Sequence, residues 1–267
     1  MKYAFGKTQV YASKKMEKHP VLAKIMFSIF GYTKVGNYAR SRVFLKAIED
    51  LPLHDFDQIL DLGAGLGEFT FMLAEKYNQK NFTALEILDN RIGSLKKVKE
   101  KIGFPNVSIF EQKIENYPHD DYFDFIFSID VFEHIPEDQM PFDACFKKLK
   151  KGGYLMVKIP NVTQRTILPN KVFHKHNEWL KKEHVGQVLD LNQLSDKFRE
   201  AGFVIEKAFY SDGLFSRIGW EIDYVASKLG IIGKLIAMPI AKCFILIDNL
   251  FDYYQSGNAI QVVGRKI

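Results

Sequence analysis

Strand and helix signals alternate along most of this 267-residue chain, and the alternation predicts an α/β fold with a largely parallel sheet and helices on both faces. Two further observations refine that prediction. The first strand ends in a glycine-rich turn that opens a helix, which is where open sheets of this kind bind ligands. A long apolar helical stretch, residues 214–254, precedes the last strand, so that strand is expected to return antiparallel.

The elements follow in order. Residues 21–30 are apolar with one lysine, and residues 40–48 carry Val43, Phe44, Ala47 and Ile48 at helical spacing, so a helical cap is expected before Pro52. Strands are expected at 58–62, 82–87, 107–110, 123–129, 154–159, 203–209 and 259–263. Helices are expected at 68–77, 89–101, 137–150 and 191–201, the last closed by Gly202. No internal repeat or Pro/Ser-rich linker is visible. The organisation expected is a cap (residues 1–56), a core (57–213 and 258–267) and a helical insertion (214–257) of the same domain.

Composition excludes several classes. Hydrophobic residues make up 47% and charged residues 26%, which is ordinary globular usage and not that of a disordered or collagenous chain. Cys145 and Cys243 are too few for a disulfide framework or a cysteine-rich zinc site. The start has no long apolar core before a small-residue cleavage site, so a cytoplasmic location is expected. The net charge of +5 is unevenly spread: +7 over residues 1–50, −5 over 51–164 and +3 over 165–267. An acidic middle argues against lying along nucleic acid, while basic flanks suit either solvated helix faces or an anionic membrane surface.

The informative run is Ile59-Leu60-Asp61-Leu62-Gly63-Ala64-Gly65-Leu66-Gly67-Glu68. Glycines permit a tight turn and close approach of a ligand. A dinucleotide fingerprint would read G-x-G-x-x-G, whereas this run reads G-x-G-x-G with an acid two residues ahead. A carboxylate there repels a pyrophosphate and suits a cationic amino group. Glu86, at the end of the second strand and 19 residues after Gly67, is positioned to accept from ribose hydroxyls. Together they predict a nucleoside ligand with a positive, phosphate-free tail, as in S-adenosylmethionine.

These residues, with Phe123 through Ile135 and the later run from Leu149 to Asn161, resemble class I S-adenosylmethionine-dependent methyltransferases over about residues 57–210. The resemblance implies a Rossmann-like, seven-stranded mixed sheet whose last strand is antiparallel, with a bound cofactor that leaves as S-adenosylhomocysteine. It places Asp61, Gly63, Ala64, Gly65 and Gly67 around the methionine part, Glu86 on the ribose and Ile87 beside the adenine. Where the family often has Gly-Asp-Ala, this chain has Gln112-Lys113-Ile114, so Gln112 or the backbone of Ile114 replaces the usual adenine contact. Ser128, Asp130 and Val131 match the end of the fourth strand, beside the sulfonium. The run Val131-Phe132-Glu133-His134-Ile135 is similar to small-molecule O- and C-methyltransferases such as those of quinone biosynthesis. The flanks are loosely similar to methyltransferases of bacterial envelope clusters.

A hydroxyl acceptor needs a base. Histidine titrates near neutrality, and His134 follows the fourth strand at the sheet edge where ligands bind. His184, in the loop after the fifth strand, is the second candidate. His174 and His176 are expected at the surface. No metal is expected, because the histidine spacing matches no ligand motif. Arg40 and Arg42 suit either an anionic ligand group or ordinary surface ion pairs. Lys234, Lys242 and Pro239 argue against residues 229–247 spanning a bilayer. They form either a lid or a surface-lying element, and a lipid-linked acceptor reconciles the two.

The expected function is methyl transfer to an O, C or N atom of a small-molecule or lipid-linked acceptor. Nucleic acid is not expected as a partner, and neither is an obligate protein; peripheral contact with the inner face of a membrane is left open as the alternative to a lid. The competing readings are a nicotinamide-dependent oxidoreductase and a non-catalytic cofactor-binding module.

Overall fold

The computed structural model describes residues 34–176, 178, 189–251 and 255–267, with residues 18, 19, 21 and 25 ahead of them. Helix α1 (Val35–Ala47) leads into β1 (Gln58–Leu62), α2 (Glu68–Lys76), β2 (Asn81–Glu86), α3 (Asp89–Ile102) and β3 (Val107–Glu111). The second half runs β4 (Phe123–Ile129), α4 (Phe142–Lys148), β5 (Leu149–Pro160), α5 (Leu191–Glu200) and β6 (Val204–Ser211). Helices α6 (Leu214–Ser227) and α7 (Gly230–Asp248) then precede β7 (Ala259–Arg265).

The seven strands form one sheet in the order β3-β2-β1-β4-β5-β7-β6. Strands β1 to β5 pair parallel, and β7 runs antiparallel between β5 and β6. The expected mixed sheet with an antiparallel last strand is therefore present. Chain direction switches sides between β1 and β4, so the crevice beyond their C-terminal ends is the natural ligand position.

Each face of the sheet buries an apolar layer. One contains Phe44, Phe71, Phe82, Phe125 and Phe127; the other contains Leu60, Phe123, Ile126, Phe142 and Phe198. Strict alternation would put Phe123 and Phe125 on the same face. A register shift between them in the β4–β5 pairing sends them to opposite layers. Asp124 in between accepts hydrogen bonds from the Asp57 and Gln58 amides, both at 2.8 Å, and pairs with Lys150 at 2.7 Å. This fixes where β1 begins.

Two boundaries differ from expectation for identifiable reasons. The helix expected at 137–150 is only α4, because Pro136 and Pro141 divide its first half into a separate short turn, Glu137–Gln139. Strand β5 starts at Leu149, not 154: Gly152 takes a positive φ of 84° and the strand continues through the expected turn. Within the expected helical stretch 214–254, residues 214–248 form two helices packed on each other. Most of the helix expected at 21–30 lies outside the described residues, and so does His184.

Helix α1 is held on the sheet by Phe44, whose ring lies 5.2 Å from Phe69 and 5.0 Å from Phe127. Helix α7 packs Met238, Ala241 and Ile245 against Val35 of α1. Its opposite side leaves Ile232, Ile236, Ile240 and Ile247 exposed. Among the described residues, no helix is long and apolar enough to cross a membrane.

Removing the Phe44 ring leaves a cavity between α1 and the sheet. Phe44→Ala is expected to cost about 3–5 kcal/mol of stability, read from the shift of the urea midpoint. A loss below about 1 kcal/mol would show that α1 is not anchored through this ring.

Candidate active site

The turn after β1 is built by its backbone. The Gly63 and Ala64 amides both donate to the Leu85 carbonyl at 2.9 Å, which ties the turn to the end of β2. Gly63 has a φ of 77°, and a Cβ there would lie 2.4 Å from the Val131 side chain. Gly65 has a φ of 59°, but a Cβ there would meet nothing within 4 Å. Gly63 is thus required by packing, whereas Gly65 faces open space where a ligand can lie against the chain.

A cavity of about 820 Å³ opens at this turn. One end is lined by Asp61, Gly63, Gly65 and the first turn of α3. The other is lined by Phe173, His176, Trp220 and the segment after β5. Asp130, Glu133 and His134 lie along it.

Asp61 is buried, and its carboxylate accepts from the Thr70 hydroxyl at 2.5 Å. Burial pushes its pKa up to about 7, the Thr70 hydrogen bond opposes this, and Glu86 adds to it. A buried acid that ionises only near neutrality favours a cation beside it. Glu86 accepts from the Gly65 amide through Oε2 at 2.8 Å, and from Ile87 and Leu88 through Oε1 at 2.8 and 3.1 Å. Arg91 approaches Oε2 at 3.7 Å. Glu86 therefore welds the turn to the start of α3 and lies just behind the cavity wall.

Asp130 directly follows β4 and has a φ of 54°. It pairs with Lys158 of β5 at 2.6 Å and with Arg40 of α1 at 2.5 Å. Burial alone would raise its pKa, but Lys158 and Arg40 more than offset this and hold it at about 2. Arg40 is thus a structural partner of Asp130, and Arg42 is exposed away from this cavity. Glu133 is 1% exposed and its Oε2 has no hydrogen-bond partner. Burial, reinforced by the neighbouring Asp130, pushes its pKa up to about 8. His134 is exposed at the cavity rim.

The other expected residues lie further back. The Ser128 hydroxyl is buried and donates to the Leu62 carbonyl at 2.9 Å, holding the β1 and β4 ends together. Val131 packs over Gly63, while Gly67 packs against Phe71 and Leu95. Ile114 is in the core, Gln112 is half-buried and Ile87 is exposed; none of the three lines this cavity. His174 is exposed as expected, but His176 is half-buried, with its ring 5.1 Å from Trp220. The surface position expected for it is corrected: Trp220 and Tyr224 of α6 cover it.

Sequence reasoning missed several groups that shape the cavity. Asp212 follows β6 with a φ of 54° and lines the cavity, and burial raises its pKa. Buried Glu221 accepts from the Ile167 and Leu168 amides at 2.6 and 2.9 Å. Asn258 both accepts from the Arg165 amide at 2.9 Å and donates to the Arg165 carbonyl at 2.8 Å. The segment after β5 is thus held at two points. A signal for Asp212 was present, since it is an aspartate directly after a strand, as the expected Asp130 is. Glu221 and Asn258 belong to the tail that carries the loose envelope-cluster resemblance, but no local signal gives their partners, which lie more than 50 residues away.

The strand order, the glycine turn on β1 and the acid ending β2 define the class I methyltransferase architecture. The methyltransferase-domain family profile matches residues 53–205. The chain belongs to that family. Trans-aconitate 2-methyltransferase of Rhizobium rhizogenes is 26% identical over 141 residues, covering 52% of this chain and 53% of that enzyme. Phosphoethanolamine N-methyltransferase 1 of Zea mays is 31% identical over 130 residues, covering 48% of this chain and 25% of that protein. The chain thus spans about half, or less, of the curated relatives it matches. Phosphoethanolamine N-methyltransferase 2 of Haemonchus contortus, solved with phosphomonomethylethanolamine and S-adenosylhomocysteine, has the same fold. It superposes with a TM-score of 0.61 at 17% identity, over 90% of this chain and 56% of that one.

The raised pKa of Asp61 carries a stability cost with a definite sign. Below an unfolded value of about 4 the group is neutral in both states and costs nothing. The cost grows as pH rises to about 7 and is constant above that. Asp61→Asn removes it. The melting temperature of the variant relative to the unsubstituted protein is expected to rise from pH 4 to pH 7 and then level off. A difference independent of pH would contradict the assignment.

Proposed function

We propose that the chain transfers a methyl group from S-adenosylmethionine to a small-molecule acceptor. The observation that carries this reading is a continuous cavity with an open glycine turn and a buried carboxylate at one end and an aromatic wall at the other. When bound, S-adenosylmethionine supplies a methyl group on a sulfonium, which passes to an acceptor lone pair as the carbon–sulfur bond breaks and its electrons stay on sulfur. Asp61 holds the cationic amino group, whose charge favours the carboxylate form. Gly65 lets the nucleoside approach the backbone. Glu86 retains lone-pair capacity on Oε2 for a ribose hydroxyl. A cavity of this volume accommodates cofactor and a small acceptor together.

Three acids along the cavity, buried Glu133 and half-buried Glu68 and Asp212, have pKa values raised first of all by removal from water. Their environment suits an acceptor nitrogen that enters as an ammonium. The same type of acceptor is named for the phosphoethanolamine N-methyltransferases. His134 at the rim takes the proton the acceptor loses.

A lipid-linked acceptor at the inner face of a membrane is the second reading, favoured by the exposed isoleucine row on α7. Flotation with anionic vesicles tests it. Binding lost in an Ile236→Glu, Ile240→Glu variant supports it, and no binding by the unsubstituted chain removes it.

Calorimetry tests the first reading. S-Adenosylhomocysteine is expected to bind and NAD not to. Gly65→Val should abolish binding of S-adenosylhomocysteine while leaving a cooperative melting transition. Binding of NAD in its place would overturn the assignment. His134→Ala is expected to lower kcat with little change in cofactor affinity.

A further inference from the structure

The charges that line the cavity are not uniformly balanced. In its inner part Arg40 and Lys158 share Asp130, and the Asn37 amide donates to Glu68 at 2.9 Å. At the far end two arginines, Arg165 after β5 and Arg217 on α6, also line the cavity. Among the described residues neither is in an ion pair. Arg217 donates from Nε to the Gly213 carbonyl at 3.1 Å, which fixes its side chain, and among the described residues its terminal nitrogens meet no acceptor.

Two ties fix the segments that carry the two arginines. Glu221 lies four residues after Arg217, on the same face of α6. Its carboxylate is occupied by the Ile167 and Leu168 amides, so it secures the segment that carries Arg165 instead of pairing with either guanidinium. Asn258 clamps the backbone of Arg165 itself from the other side. The segment is held by its backbone, which leaves the Arg165 side chain available.

We propose that Arg165 and Arg217 form the subsite for a phosphate monoester on the methyl acceptor. This rests on the reading of the cavity as a methyltransferase site. Two guanidinium forks match the several terminal oxygens of a tetrahedral dianion, whereas one planar carboxylate is satisfied by a single fork. The subsite lies beyond β5 and β6, across the sheet switch point from the glycine turn, so it is separate from the cofactor end. The acceptor is then bipolar, with its reacting atom toward Glu133 and His134 and its phosphate at the far end.

The test is calorimetric titration of inorganic phosphate, and separately of citrate, into the full chain with and without saturating S-adenosylhomocysteine. Phosphate is expected to bind in both states and more tightly than citrate. Arg165→Gln and Arg217→Gln should each weaken it by about tenfold, and the double variant should abolish it. Lys101→Gln on exposed α3 should leave it unchanged, and S-adenosylhomocysteine affinity should stay within about twofold in every variant. Phosphate binding indifferent to both arginines overturns the proposal. So does displacement of phosphate by S-adenosylhomocysteine, which would assign the arginines to the cofactor carboxylate, and so does preference for citrate. Failure of S-adenosylhomocysteine to bind the unsubstituted chain would instead strike the methyltransferase reading, while the phosphate arm still reports on the subsite.

Discussion

Asp130 is where three elements are tied together. Strand β4 ends there in the left-handed backbone region, which aspartate tolerates better than most residues. The turn brings one carboxylate against a lysine of β5 and an arginine of α1. Taking charges out of water costs several kcal/mol per ion unless they are paired and hydrogen-bonded. One anion shared by two cations leaves a positive remainder, and Glu68 and Asp212 are close enough to stabilise Arg40 electrostatically. The floor of the cavity is therefore set by charge compensation, and the positions of α1, β4 and β5 follow from it.

That arrangement explains why the cavity persists between two dense apolar layers. Phenylalanines fill both faces of the sheet. At its C-terminal edge they give way to Asp61, Asp130, Glu133 and Asp212, side chains that cannot collapse onto one another without stranding charge. Burial disfavours the ionised forms of Asp61 and Glu133, so that at neutral pH Glu133 is mostly protonated and Asp61 is partly so. A site of this kind costs stability while empty and recovers it when a cation enters. The compensating apolar burial lies elsewhere in the sheet, in contacts such as Phe44 on Phe69 and Phe127.

The parts legible in the sequence were those encoded by neighbours in the chain. Alternating apolar periods located all seven strands, and the glycine spacing with its preceding acid located the turn. Boundaries failed where a local signal had two meanings: Gly152-Gly153 reads as a turn, yet β4 pairs with Leu149 and Tyr154 on either side of it and the Lys266 backbone bonds to both glycines, which carries β5 through. The polar framework was mostly illegible because its partners are distant. Arg40 meets Asp130, Glu221 meets Ile167, and Asn258 meets Arg165, each across more than 50 positions. No periodicity reports such pairs. His176 was misjudged for the same reason, since the aromatic residues that cover it come from α6.

The insertion of α6 and α7 leaves and re-enters the sheet at nearly one point. Asp248 at the end of α7 accepts from the Gly213 and Phe215 amides, both at 3.0 Å, and so closes the hairpin against the start of α6. Gly257 lies so close to β6 that a Cβ would sit 2.1 Å from the Ser211 carbonyl oxygen, and the Asn258 amide donates to the Asp212 carbonyl at 3.1 Å. The insertion is thus closed at its base, and its inner face is fixed relative to Asn258 and the segment after β5. The glycine turn is held by a different set of bonds, from Leu85 and Glu86 on the other half of the sheet. Because the two sets share no residue, substitutions on α6 can reshape the acceptor end without loosening the turn. A sheet edge divided in this way keeps one ligand constant while the other varies.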